Sequence, residues 1–184
     1  MRIGLDIDGV VADSFPVFLR ELNKHFDKKL EKIDNYDMAK LYGVDWEVMS
    51  KFFDDHMEFL FSEPMPMPGA VEGITELMDK GNEIIYVTAR NPGGEEEATI
   101  KWMNQKSIPY DKVIFMGNAC KTSAVKEYEL DVFVEDHSGN ALKIFNSGIG
   151  VFLFDAPYNR IQLPSGITRC YNWTELTKEI TTLK

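Results

Sequence analysis

No stretch of the 184 residues approaches the roughly 20 consecutive apolar residues that a membrane-spanning helix needs. The short apolar run at the N-terminus is interrupted by Asp6 and Asp8, which does not fit the apolar region of a secretory leader. Cysteine is scarce. Cys120 and Cys170 lie far apart, and in a chain with the features of a cytoplasmic protein a disulfide between them is disfavoured, so the expectation is two free thiols. Positive charge is also short, with 20 Lys and Arg against 30 Asp and Glu for a formal net charge of −10. That balance argues against binding a nucleic-acid polymer, whose backbone attracts clustered Lys and Arg. It does not exclude a small phosphorylated ligand, because one local cation can hold a single phosphate. Internal repeats and low-complexity tracts are missing as well.

What is present is globular: 44% of residues are hydrophobic and 27% charged, enough for one domain of ordinary size carrying an insertion. The chain opens Ile3-Gly4-Leu5-Asp6-Ile7-Asp8-Gly9. An apolar run reads as a short buried strand, and it ends in two carboxylates two residues apart. In an extended segment such residues point the same way, so they repel unless a cation or proton sits between them. Gly9 lets the backbone turn sharply there. A strand followed by an Asx-rich turn would look the same, so the rest of the chain has to decide.

Spacing predicts an amphipathic helix over 15–33, with Pro16 in its first turn, and further helix over 34–61. The aromatic side chains of that region, Tyr36, Tyr42, Trp46, Phe52, Phe53, Phe59 and Phe61, are expected mostly in the core. Pro64, Pro66 and Pro68 then forbid helix and mark a boundary. From residue 70 helices and strands alternate: helices over 71–80, 98–106, 123–129, 141–146 and 173–183, strands over 83–88, 112–116, 131–135 and 149–154, with Glu95, Glu96 and Glu97 as a solvated first helical turn. Such alternation predicts an α/β fold with a doubly wound, Rossmann-like parallel sheet flanked by helices. The predicted division is a core of 1–14 and 67–184 and a small helical cap of 15–66, inserted after the first strand. In these sheets ligands bind beyond the carboxyl ends of the strands.

That rule gathers the polar strand ends. Asp6 and Asp8 follow the first strand, Thr88-Ala89-Arg90 ends the second, Lys121 lies in the loop after the third, and Glu135-Asp136-His137 ends the fourth. Four acids in one crevice require a cation, and an all-oxygen set selects a hard ion such as Mg²⁺. Lys121 and Thr88 would hold phosphoryl oxygens, a carboxylate can attack phosphorus, and Asp8 can carry the proton.

Asp6-Ile7-Asp8-Gly9-Val10-Val11, Thr88, Lys121 and Glu135-Asp136 resemble the four motifs of the haloacid dehalogenase superfamily. Further similarity in Val10-Val11-Ala12-Asp13, Phe18-Leu19-Arg20, Pro66-Met67-Pro68-Gly69-Ala70 and Tyr171-Asn172-Trp173 points to the 5′(3′)-deoxyribonucleotidase family. The resemblance implies a Mg²⁺-dependent phosphatase acting on a small phosphomonoester, in the first place a nucleoside monophosphate, through an aspartyl phosphate. Asp6 would be nucleophile and metal ligand, Asp8 acid/base and a ligand through its carbonyl, Asp136 the third ligand, and Glu135 their support. Thr88 and Lys121 would bind the phosphate. Ala89, Arg90, His137 and the cap aromatics Phe61 and Trp46 are candidates for substrate contact. Ser14, Ala119 and His137 depart from the family pattern at positions that concern recognition more than chemistry. A sugar phosphatase and a catalytically silent phospho-ligand module are the alternatives, and a homodimer through an apolar face of the cap or the last helix stays open.

Overall fold

The computed structural model describes residues 1–117 and 119–183. A strand β1 (Arg2–Leu5) is followed by three helices, α1 (Phe15–His25), α2 (Met38–Tyr42) and α3 (Trp46–Ser62). Then come α4 (Ala70–Asp79), β2 (Glu83–Thr88), α5 (Gly94–Gln105), β3 (Lys112–Phe115), α6 (Lys121–Glu127), β4 (Val132–Glu135), α7 (Ser138–Phe145) and β5 (Gly150–Phe154). A 3-10 turn (Pro157–Asn159), β6 (Ile167–Cys170) and α8 (Trp173–Thr181) complete the chain.

The strands form one parallel sheet in the order β3-β2-β1-β4-β5-β6. The central strands are buried on both faces, which is why they read as continuous apolar runs. Alternate residues of β2 serve opposite faces: Ile84 and Tyr86 join Trp102, Trp173 and Leu176 under α4, α5 and α8, while Ile85 and Val87 join Val125 and Ile144 under α6 and α7. Strand order reverses at β1, which lies between β2 and β4, and that opens a crevice at the carboxyl ends of β1 and β4.

Helices α1–α3 surround their own apolar cluster, including Phe18, Leu22, Tyr42, Met49, Phe52 and Leu60. The strands of chain entering and leaving them run side by side: Asp13 N–H donates to the Met65 carbonyl (2.9 Å) and Met67 N–H to the Val11 carbonyl (2.7 Å).

The structure corrects several boundaries. Helix α1 stops at His25 and not at residue 33, because Asp27 takes a left-handed φ of 49° and Asn23 brackets Leu30 through both its amide nitrogen and oxygen. The helix expected over 34–61 is two, with a break at Gly43, φ 69°. Lys121 is the first residue of α6, not a loop residue. Strand β6 has no counterpart in the sequence reading: it is a four-residue edge strand whose buried ends enclose Thr168 and Arg169, so its pairing with β5 and not a local pattern defines it. Glu95 is buried and not solvated, accepting hydrogen bonds from the backbone and side chain of Asn91.

Candidate active site

At the crevice, Asp6 continues the β1 ladder by donating its N–H to the Val134 carbonyl at 2.9 Å. Its carboxylate meets the Lys121 ammonium at 2.6 Å, and the same ammonium meets Glu135 at 2.9 Å. All three side chains are buried. Glu135 also accepts the His137 N–H at 3.1 Å, so both its oxygens are engaged. Asp136, the next residue, accepts the Tyr158 hydroxyl on Oδ2, and its carbonyl accepts the Asn159 amide at 2.6 Å. Its Oδ1 is buried and has no hydrogen-bond partner among the described residues.

One oxygen from each of Asp6, Glu135 and Asp136 lies within 4.8 Å of the others. Three buried carboxylates face one ammonium, so the cluster is short of positive charge. Burial first, and then the negative charge of Glu135, push the carboxyls of Asp6 and Asp136 well above the usual range. Burial also opposes the ionised form of Glu135, but Lys121 outweighs it and holds that carboxyl low. Lys121 in turn is lifted above the ordinary lysine range by Asp6 and Glu135 against the opposing effect of burial. A divalent cation would supply the missing charge, and an all-oxygen set with an orphaned buried oxygen suits a hard one.

Asp8 behaves differently. The strand ends at Leu5, and the N–H groups of Val10, Val11 and Ala12 all converge on the Ile7 carbonyl, so Asp6 and Asp8 do not share one extended face. Each has its own cation. Arg90 grips Asp8 with both arms, Nη2 to Oδ1 at 2.6 Å and Nε to Oδ2 at 2.9 Å, and the Ser14 hydroxyl donates to Oδ1 as well. Burial works against the Asp8 carboxylate, yet the Arg90 guanidinium overcomes it and holds the carboxyl below its usual range.

The expected substrate contacts divide. A cavity of ≈ 960 Å³ opens above Asp8, walled by Phe15, Tyr36, Trp46, Phe61, His137 and Tyr158 among others. Trp46 is exposed at its rim, whereas Phe61 is buried beneath the Arg90 guanidinium, 4.2 Å from carbon to ring centre. His137 accepts the Asn140 N–H to start α7 and lies 4.1 Å from the Tyr36 ring, and burial lowers its pKa from the ordinary imidazole value. Arg90 is 3% exposed and turned onto Asp8, and Ala89 is exposed. Thr88, buried at the end of β2, accepts the Arg90 N–H at 3.2 Å. Ser14, placed by the sequence at a position concerned with recognition, donates instead to Asp8, and Tyr158 and Asn159 went unassigned in the sequence. The rule that loops after every parallel strand open on one edge would have pointed to the loop after β5 that carries the last two.

A doubly wound sheet with an acidic cluster at its switch point, together with a family match over the whole chain, defines a hydrolase of the haloacid dehalogenase superfamily. Within it the chain belongs to the family described as 5′ nucleotidase, deoxy (pyrimidine), cytosolic type C, which matches residues 1–184. A provisionally named nucleotidase of Halalkalibacterium halodurans is 36% identical over 177 residues, covering 95% of this chain and 89% of the relative. A nucleotidase of Clostridium acetobutylicum is 32% identical over 181 residues, covering 96% and 91%. Among solved structures, a "predicted phosphatase" from Clostridium acetobutylicum superposes with a TM-score of 0.76 at 13% identity, covering 99% of this chain and 98% of that one. D,D-heptose 1,7-bisphosphate phosphatase from B. bronchiseptica, complexed with magnesium and phosphate, gives a TM-score of 0.58 at 13% identity with both chains fully covered (100% each). The chain is a phosphoric monoester hydrolase of the nucleotidase kind.

Proposed function

We propose that this hydrolase is a Mg²⁺-dependent 5′(3′)-nucleotidase that transfers the phosphoryl group of a deoxyribo- or ribonucleoside monophosphate to Asp6 and then to water. The observation that carries the reading is the buried set Asp6, Glu135 and Asp136, with an orphaned Asp136 oxygen and a single ammonium at Lys121. Asp6, Asp136 and the Asp8 carbonyl would hold Mg²⁺, whose part is to neutralise phosphate charge and make room for an anionic nucleophile.

Asp6 attacks phosphorus; the bond from phosphorus to the leaving oxygen breaks, its electron pair stays on that oxygen, and Asp8 gives it a proton. A water then attacks phosphorus and passes a proton to Asp8 while the electron pair of the acyl phosphate bond returns to Asp6, leaving alcohol and inorganic phosphate. Thr88 and Lys121 bind the phosphoryl oxygens throughout. Glu135 takes no part beyond holding Lys121 and the His137 N–H. Residues 15–66 act as the cap, excluding water and closing an aromatic cavity around a flat base.

The test is phosphate release from deoxyribo- and ribonucleoside monophosphates and from sugar phosphates, with Mg²⁺ and with chelator. Preference for nucleotides and loss of turnover in chelator are expected. Equal rates on sugar phosphates reject the substrate, and full activity in chelator rejects the metal.

A further inference from the structure

We infer that Arg90 is the positioning residue for the proton donor, fixing the plane and direction of the Asp8 carboxyl; this rests on the reading of Asp8 as acid/base given above. Arg90 is 3% exposed, and each guanidinium nitrogen already has a partner: Nε and Nη2 hold Asp8, and Nη1 donates to the Thr99 hydroxyl at 2.8 Å. Its flat face lies 4.2 Å from the Phe61 ring centre, and Trp102 stands 5.9 Å away. The holders are themselves held. Thr99 donates to the Glu95 carbonyl at 2.6 Å, and the Trp102 indole donates to the Pro64 carbonyl at 2.7 Å. The fork is therefore locked by α5, by α3 and by the connector at Pro64.

The geometry also assigns the atom. Asp8 Oδ1 accepts two hydrogen bonds, from Ser14 and Arg90, while Oδ2 accepts one, so Oδ2 keeps a free lone pair for the travelling proton; the fork itself favours the ionised carboxylate, so the proton stays there only for the transfer. A lysine at position 90 could bring charge but not the two-armed plane. Proton transfer in the transition state depends on that alignment, whereas an ester whose leaving group departs as a stable anion needs no proton.

The experiment compares kcat/KM, which reports on chemistry up to cleavage of the ester, for a nucleoside monophosphate and for p-nitrophenyl phosphate. Arg90→Lys, checked for folding by circular dichroism, is expected to lose about 100-fold on the nucleoside ester, through kcat, and no more than about 10-fold on the aryl ester. Equal losses on both esters, or a rise in KM with kcat intact, would overturn the inference. If Arg90→Lys does not fold, Thr99→Val removes one holder of the fork and must show the same selectivity in smaller degree; equal losses there overturn it as well. Asp8→Asn separates the two levels. If it shows no leaving-group selectivity, the acid role itself fails and the inference with it; if it does and Arg90→Lys does not, only the positioning role fails.

Discussion

Tyr158 shows how much one side chain outside the motifs can decide. Its hydroxyl occupies Oδ2 of Asp136, and the adjacent Asn159 holds the Asp136 carbonyl and the Phe154 carbonyl, so Oδ1 alone is left for an ion. Partners that orient a ligand in this way are worth about 10- to 100-fold in metal affinity. Tyr158→Phe is expected to weaken Mg²⁺ binding in that range by isothermal titration calorimetry, and unchanged affinity would show that Asp136 is oriented by the backbone alone. The two thiols make a second residue-level prediction. Cys120 is exposed, and hydrogen bonding to Thr122 lowers its pKa from the ordinary value, whereas burial, then Glu175 and Glu179, lift Cys170 to about 12. The thiolate is the reactive form, so a thiol reagent at mildly alkaline pH should count one cysteine in the native protein and two in denaturant. Reaction of Cys170 in the native state would rise only toward pH 12.

Among the elements, α4 and α8 pack so closely that Gly73 leaves no room for a methyl group. A Cβ there would fall 2.6 Å from Thr177 Oγ1 and 2.9 Å from the Trp173 ring. Gly73→Ala is expected to cost about 1–3 kcal/mol of stability, read as a fall in Tm of about 2–4 °C per kcal/mol, with turnover of the folded enzyme unaffected. A parallel loss of turnover would mean that these helices are coupled to the crevice. Elements such as these were largely legible in the sequence. Buried parallel strands announce themselves as apolar runs, and Pro16 and the acidic first turn of α5 marked true helix starts. Local pattern failed where a distant contact decided: α1 is cut short by Asn23 reaching to Leu30, and β6 exists by virtue of β5. In the insertion, aromatic spacing could not separate Phe52, in the core, from Tyr36 and Trp46, which face the cavity.

The whole molecule carries a formal net charge of −10, so its long-range field repels a phosphate and the site must overcome this locally. The sequence placed Asp6, Thr88, Lys121, Glu135 and Asp136 at one edge because the alternation of helices and strands fixes where each strand ends. It did not foresee the pairing of Arg90 with Asp8, since a charged residue beside a motif reads the same whether it faces solvent, a ligand or another side chain. The structure gives Asp6 and Asp8 separate cations, Lys121 and Arg90, and leaves the remaining negative charge around Asp136. The central claim is that Asp6 accepts the phosphoryl group, and the direct test is acid quenching during turnover of a nucleoside monophosphate with Mg²⁺, followed by mass spectrometry of the Asp6 peptide. A phosphoryl group on Asp6, absent from an inactive but folded Asp6→Asn, is predicted. A phosphoryl group on another residue, or turnover by Asp6→Asn near the wild-type rate, would contradict the account.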